Sequence, residues 1–289
     1  MVECRGRLAH ARRGTHRAAQ WAGPPPQPTI TCKSRETNVH GPDVKADFAA
    51  CYCARPGDLS LDGAPGSKDP FGSLTWEKAC MGLRVFSSVV PPLDVNAYVV
   101  SDEATGDAVV IDPGDFSHAI ERHIASNRLK VHCILLTHGH FDHTTGVAHA
   151  VRATGAPVVC HALTAPMLAD PILNGAEFFD TNYEPVTADR TVEGGETLRA
   201  GALEIAVLHT PGHTRGDTCY RIGGELFSGD VLFNGGIGRT DLPGGDHQTL
   251  LRSIRERLFT LPGTTRVHPG HGQPTTIDRE RRTNPFLNE

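Results

Sequence analysis

From Thr137 to His143 the chain reads T-H-G-H-F-D-H, so three histidines and one aspartate lie within six consecutive positions. The preceding residues 131–136 form a short apolar run with the length of a buried strand. Imidazole and carboxylate groups are suitable ligands for zinc, manganese or iron. A solvated, histidine-rich turn is the alternative, but the strand in front and the glycines Gly139 and Gly146 favour a built metal site. The first candidate ligands are therefore His138, His140, Asp142 and His143.

Three further candidate ligands lie downstream, each directly after a glycine. They are His213 in T-P-G-H-T, Asp230 in S-G-D and His271 in H-P-G-H-G. Glycine lets the backbone bend, so each side chain can project from the end of a predicted strand. Proline and glycine also surround loop histidines that have no function. The repetition of the pattern at three strand ends nevertheless favours one shared site.

Short strands and amphipathic helices alternate along the chain and form the predicted framework of this site. Strands are predicted over 83–90, 95–101, 108–111, 131–136, 157–160, 203–208, 218–222 and 225–228, and a last strand ends at Val267. Helices are predicted over 116–127 and 144–153, and a third is capped by Asp246. No Gly-x-Gly-x-x-Gly follows the first strand, which argues against a dinucleotide-binding fold. The two halves have similar content, which favours two sheets covered by helices on both sides.

The 289 residues carry 28 basic and 33 acidic side chains, but the charge is uneven along the chain. Residues 1–80 hold 11 basic and 8 acidic side chains, which leaves 17 and 25 for residues 81–289. An acidic body argues against a nucleic-acid partner, because such binding depends on clustered lysine and arginine. No apolar run approaches the ~18 residues that a membrane helix needs, so we expect no membrane partner either.

Residues 1–80 and 81–289 are predicted to be two different regions, of which the second is the catalytic domain. The first 35 residues hold seven basic side chains against the single acid Glu3, and they cannot build an apolar core. We expect a disordered extension. The alternative is a segment that is not translated, in which case translation would begin at Met81. Import into an organelle through the arginine-rich N-terminus is a further alternative. The widely spaced cysteines of the body otherwise indicate a reduced, cytoplasmic domain.

Asp112 after a strand, the H-x-H-x-D-H loop and the three downstream ligands resemble the five motifs of the metallo-β-lactamase-fold hydrolases. The resemblance covers residues 81–286. It implies an α+β fold, the four-layered αββα metallo-β-lactamase sandwich, with metals at one edge of two sheets. It also implies two divalent metal ions, with zinc favoured and iron or manganese as alternatives.

The resemblance assigns a role to each candidate residue. The first ion would be bound by His138, His140 and His213, and the second by Asp142, His143 and His271, with Asp230 bridging. Asp142 and Asp230 are thereby the catalytic carboxylates. Asp112 would orient a ligand loop by hydrogen bonding, although a turn aspartate before Pro113 is an equally good interpretation. Three imidazoles around an open position are typical of a catalytic site.

Three local motifs resemble the glyoxalase II-like (hydroxyacylglutathione hydrolase-like) branch and its persulfide dioxygenase neighbours. They are T-P-G-H-T-x-G-D over 210–217, G-R-T-D over 238–241 and R-R-T-N-P-F over 281–286. The resemblance implies hydrolysis of a small-molecule thioester, such as a hydroxyacyl-glutathione, by a metal-bridging hydroxide. Full-length glyoxalase II enzymes add a C-terminal helical domain with basic residues for glutathione. Only 18 residues follow His271 here, so the thiol carrier stays open.

Arg239 in the second of these motifs is a candidate substrate-loop residue. It would order the substrate loop or hold a carboxylate of the substrate. Pairing with Asp241 or Asp246 is the alternative interpretation.

Other functions remain as alternatives. A persulfide dioxygenase would use one iron at His138, His213 and Asp230, which are two histidines and one carboxylate. Hydrolysis of small phosphodiesters or esters fits the acidic body less well. A binding module whose metal only stabilises the fold is disfavoured by the retention of seven ligands. The oligomeric state is not predicted.

Overall fold

The computed structural model describes residues 82–179 and 181–288, so our expectation for residues 1–80 lies outside the described residues. The strands in these ranges are β1 Leu83–Val90, β2 Val95–Asp102, β3 Asp107–Ile111, β4 Lys130–Leu135, β5 Val158–His161, β6 Arg190–Val192, β7 Thr197–Ala200, β8 Leu203–His209, β9 Thr218–Ile222, β10 Glu225–Gly229, β11 Leu232–Phe233, β12 Gly236–Ile237, β13 Arg266–Pro269 and β14 Thr275–Thr276. The α-helices are α1 His118–Ser126, α2 Phe141–Thr144, α3 Val147–Thr154, α4 Ala165–Ala169, α5 His247–Ser253 and α6 Ile277–Thr283. A 3-10 turn covers Ala176–Phe179, and a wider helical turn over Ile254–Leu258 continues α5.

The strands form two six-stranded mixed sheets and one small hairpin. The first sheet has the order β1-β2-β3-β4-β5-β6, antiparallel from β1 to β3 and parallel from β3 to β6. The second has the order β14-β13-β10-β9-β8-β7, in which β10 and β13 are parallel and the other pairs antiparallel. The hairpin β11-β12 follows β10 directly.

Three apolar layers show that the two sheets lie face to face between helices. Alternate residues of a strand point to opposite faces. In β3, Val109 and Ile111 belong to the core between the sheets, while Ala108 and Val110 pack against Phe116 and other residues of the outer face. The outer face of the second sheet is covered by apolar residues of α5 and α6. The predicted four-layered αββα sandwich is therefore confirmed.

The structure differs from the predicted elements in one interrupted helix, in several short strands and in the helices α4 and α6, which were not predicted. The helix predicted over 144–153 is divided, because the Gly146 amide donates to the Pro113 carbonyl at 2.9 Å, outside the helix. Strands β6 and β7 were not predicted, since they have three and four residues with little apolar alternation. The predicted cap of α5 is present, because the Asp246 carboxylate accepts from the Thr249 amide at 2.7 Å.

Asp107 at the start of β3 connects the two sheets. Its carboxylate lies 2.6 Å from His132 Nε2 on β4 and accepts from the Ala202 amide, in the turn between β7 and β8, at 2.9 Å. The hydrogen bonds from His132 and Ala202 lower the pKa of Asp107 to about 2. The ionised carboxylate thus stabilises the contact between the sheets.

None of the helices within 82–179 and 181–288 combines the length and the apolar character that crossing a membrane requires.

Candidate metal centre

The H-x-H-x-D-H loop begins where β4 ends and turns immediately into α2. The Phe141 ring anchors this turn, because it is fully buried and stacks on Phe179 with ring centroids 4.5 Å apart. The Phe141 amide also donates to the Asn174 carbonyl at 3.0 Å. His138 and His140 lie before the helical turn, and Asp142 and His143 lie within it. All four side chains are buried.

His213 lies in a tight loop that is closed by a buried aspartate. The Asp217 carboxylate accepts from the His213 amide at 2.8 Å and from the Thr214 amide at 2.7 Å. Burial raises the pKa of Asp217 to about 6, against the lowering effect of His213 and of the Thr214 donors. The ring itself is oriented by the Arg239 carbonyl, which lies 2.7 Å from His213 Nδ1.

Asp230 and His271 follow the parallel strands β10 and β13, so both leave the second sheet at the same edge. This edge faces the end of β4, and the seven candidate ligands meet there. Three groups have ligand atoms within 4.8 Å of one another: His138 with His140 and His213, His138 with His143 and Asp230, and Asp142 with His143 and His271.

Asp230 lies between the group of His138, His140 and His213 and the group of Asp142, His143 and His271. Its Oδ1 is 3.3 Å from His143 Nε2, while its Oδ2 is 3.7 Å from His213 Nε2 and 3.6 Å from His271 Nε2. His271 Nε2 is also 3.3 Å from Asp142 Oδ2. A carboxylate that reaches both groups has the geometry of a bridging ligand.

The protonation of these side chains suits a cation. Burial lowers the pKa of His138 well below its usual value and that of His140 to about 3, so both imidazoles are neutral. Burial raises the pKa of Asp230, but His271 and His143 outweigh it and hold the pKa well below the usual range. Metals bind neutral imidazole and ionised carboxylate. His138, His140 and Asp230 are therefore in the form that binds a metal.

His143 has the opposite shift. Burial lowers its pKa, but the carboxylates of Asp230, Asp142 and Asp112 outweigh burial and raise the pKa well above its usual value. A positive charge is thus favoured among these three carboxylates. A bound cation would satisfy the same electrostatic demand.

His138 provides the test of whether the donor set fits a metal ion. Its Nε2 atom is buried and has no hydrogen-bond partner within residues 82–179 and 181–288. An unpartnered buried imidazole nitrogen costs about 1–3 kcal/mol. Coordination removes this cost, and a set of five histidines and two aspartates suits zinc, iron or manganese.

Asp112 belongs to none of the three groups but contacts one of their members. Its Oδ1 accepts from the Thr137 amide at 2.8 Å, and its Oδ2 accepts from the Thr137 hydroxyl at 2.6 Å. The same Oδ2 lies 3.0 Å from His143 Nδ1. Asp112 thus contacts both the start of the ligand loop and one of its histidines.

The guanidinium of Arg239 is paired with a carboxylate of the same loop. Its Nε and Nη2 donate to the two carboxylate oxygens of Asp241 at 2.7 and 2.8 Å. The geometry is that of the predicted alternative, an arginine paired within its own loop.

Two buried polar residues near the centre were not singled out from the sequence. Asp217 ends the quoted T-P-G-H-T-x-G-D motif, and its short spacing from His213 was the available signal. Asn96 lies on β2 and contacts the loop of His271. It has no sequence signal, since a single asparagine in a strand predicts nothing about a loop 173 residues away.

Comparison with known proteins agrees with this architecture. The chain is 38% identical over 186 residues to hydroxyacylglutathione hydrolase GloC of Haemophilus influenzae, covering 63% of this chain and 87% of that one. The crystal structure of TTHA1623 in a di-iron-bound form is 41% identical, with a TM-score of 0.63 over 70% of this chain and all of that one. The structure of the B3 metallo-β-lactamase BLEG-1 is 39% identical, with a TM-score of 0.66 over 71% of this chain and all of that one.

Residues 90–271 match the Metallo-beta-lactamase superfamily. This range contains the strands that carry the candidate ligands and all seven candidate ligands themselves. The chain belongs to the metallo-β-lactamase superfamily.

Proposed function

We propose that this protein is a metal-dependent thioester hydrolase that acts on hydroxyacyl-thioesters such as hydroxyacyl-glutathione. One observation carries the proposal: two groups of three ligands share the carboxylate of Asp230 between them. The similarity to GloC supports the thioester as the substrate class.

In this proposal His138, His140 and His213 hold one divalent ion, and Asp142, His143 and His271 hold the second. Zinc is favoured, and the di-iron form of TTHA1623 supports iron as the alternative. When bound, the two ions supply a hydroxide nucleophile at neutral pH and polarise the thioester carbonyl.

The side chains of the protein prepare the site for this chemistry. Asp142 and Asp230 offset the charge of two cations, because both are buried carboxylates at the centre. Asp112 holds the His143 ring through Nδ1, which leaves Nε2 turned toward Asp230. Such partners of a ligating histidine fix its tautomer and its orientation.

Arg239 acts in this proposal as a loop-ordering residue. Its guanidinium donates to the Asp241 carboxylate, and its carbonyl oxygen contacts His213 Nδ1.

A substrate panel tests the proposed reaction. Release of free thiol from hydroxyacyl-glutathione is measured beside a β-lactam and a small phosphodiester, and oxygen uptake is measured with a glutathione persulfide. The expected result is thiol release without oxygen uptake, and incorporation of one ¹⁸O from labelled water into the carboxylate product. Oxygen uptake with persulfide and no thiol release would instead identify the iron dioxygenase, and β-lactam turnover alone would identify a lactamase.

A further inference from the structure

The loop from Pro269 to Gly272 carries His271 and is held by a residue of the opposite sheet. We propose that Asn96 is a positioning residue for His271: it fixes this loop and thereby the ligand group of Asp142, His143 and His271. The inference rests on the dinuclear centre of the proposed function, but it does not depend on the thioester substrate.

Asn96 contacts the loop at three carbonyls. Its side-chain Nδ2 donates to the Pro269 carbonyl at 3.0 Å and to the Gly272 carbonyl at 2.9 Å. Its backbone amide donates to the Gly270 carbonyl at 2.7 Å. The side chain therefore binds the loop on both sides of His271, two residues before it and one residue after it.

The loop needs such a partner because it leaves the ladder of β13. Carbonyls beyond a strand end have no regular backbone partner, and a buried carbonyl without a donor is costly. Asn96 is only 6% exposed and its bond to the Pro269 carbonyl is buried, whereas Gly272 is an exposed residue that the Asn96 side chain ties to β2. Among short side chains, the carboxamide is the one that offers two N–H donors from one atom.

The loop has no space to move toward the centre. A Cβ atom on Gly270 would lie 2.2 Å from Asp230 Oδ1 and 2.6 Å from His143 Cε1. The loop backbone thus packs directly against two candidate ligands. Because the Asn96 side chain binds two carbonyls of the same loop, its loss would remove two of the contacts that hold the loop in this packing.

Tyr98 provides a matched control. It lies two residues further along β2 on the same face, and its hydroxyl donates to the same Pro269 carbonyl at 2.7 Å. Tyr98→Phe removes one hydrogen bond at this sheet contact but leaves the Gly272 carbonyl bound to Asn96. The loop beyond His271 therefore stays fixed in this variant.

The test measures metal binding in the absence of substrate. Zn²⁺ is titrated into chelator-treated wild type, Asn96→Ala, Asn96→Leu and Tyr98→Phe, in competition with a chromophoric chelator that resolves two dissociation constants. Loss of a group that orients a ligand typically weakens metal binding by ~10–100-fold. We expect that weakening for one ion only in both Asn96 variants, with the other ion and Tyr98→Phe within about twofold of wild type.

The unfolding midpoint of each metal-free variant separates positioning from folding. Asn96→Leu has a similar shape, no N–H donor and no charge, so it serves if Asn96→Ala is not folded. The inference is wrong if the Asn96 variants bind both ions like wild type, if they weaken both equally, or if the wild type binds fewer than two ions. Two-ion binding without thioester hydrolysis would refute the proposed function alone.

Discussion

Asp112 contacts Thr137 and His143 of the ligand loop, and its replacement by asparagine tests whether it orients them. The backbone of Asp112 has φ +48°, a left-handed conformation that asparagine adopts as readily as aspartate. Asparagine is also as good a turn former. If Asp112 only forms the turn before Pro113, Asp112→Asn changes nothing.

The expected magnitude follows from the contacts of the carboxylate, which is 2% exposed. The amide oxygen can replace Oδ1 and accept from the Thr137 amide. The amide nitrogen replaces Oδ2, which accepts from the Thr137 hydroxyl and contacts His143 Nδ1. The hydroxyl can rotate and accept, but one hydrogen bond to a charged group is lost, worth about 1.5–3 kcal/mol.

The same substitution changes the tautomer of His143. An amide N–H facing Nδ1 can only donate, which moves the ring proton to Nε2. That atom lies 3.3 Å from Asp230 Oδ1 and would bind the ion. We therefore expect Asp112→Asn to lower the free energy of unfolding by about 2 kcal/mol and to weaken metal binding by ~10–100-fold.

The assay is urea unfolding of metal-free protein, followed by Zn²⁺ titration of the same sample. Asp94→Asn is the matched control, because Asp94 has a similar φ of +57° but is exposed. The control is expected to match the wild type in both measurements. If Asp112→Asn also matches the wild type, the orienting role is refuted and the turn interpretation is correct.

Three further predictions concern the ligands, the sheet contact and the approach of the strand ends. His138→Ala is expected to abolish metal retention and turnover in a protein with unchanged circular dichroism, and full activity would contradict the ligand assignment. Asp107→Asn is expected to cost about 1 kcal/mol at pH 7, less than the full shift because its side chain is partly exposed. Because the folded-state pKa is depressed to about 2, this difference should shrink as the pH falls from about 4 to 2. If the difference measured by urea unfolding does not change with pH, the ionised Asp107 carboxylate is excluded as its source. Gly229→Ala is expected to lose at least ~2 kcal/mol, since Gly229 has φ +48° and its Cβ would lie 2.2 Å from Thr137 Oγ1; an unchanged unfolding midpoint would show that the strand ends can separate.

The candidate ligands could be predicted from the sequence because residues with metal-binding side chains occur at the ends of predicted strands. Histidine and aspartate residues that follow glycine at strand ends form a pattern that does not depend on tertiary detail. Apolar alternation likewise predicted most strands, including β3, whose alternate residues pack into two different apolar clusters.

The remaining features depend on contacts between distant residues. Asn96 binds backbone carbonyls, which every residue has, so nothing in the sequence of the loop identifies its partner. The break before α3 arises from the Pro113 carbonyl, which is distant in sequence from Gly146. The sequence likewise left two interpretations of Arg239 open, and only the side-chain geometry showed that it pairs with Asp241.

Metal content and turnover measured on the same preparation test the central claim most directly. The protein is purified without added metal, the ions per chain are counted by mass spectrometry, and hydroxyacyl-glutathione hydrolysis is assayed before chelation, after chelation and during stepwise addition of Zn²⁺. We predict two ions per chain, loss of hydrolysis on chelation, and its return as the second ion binds. Hydrolysis that persists after the ions are removed, or a protein that binds none, would contradict the account.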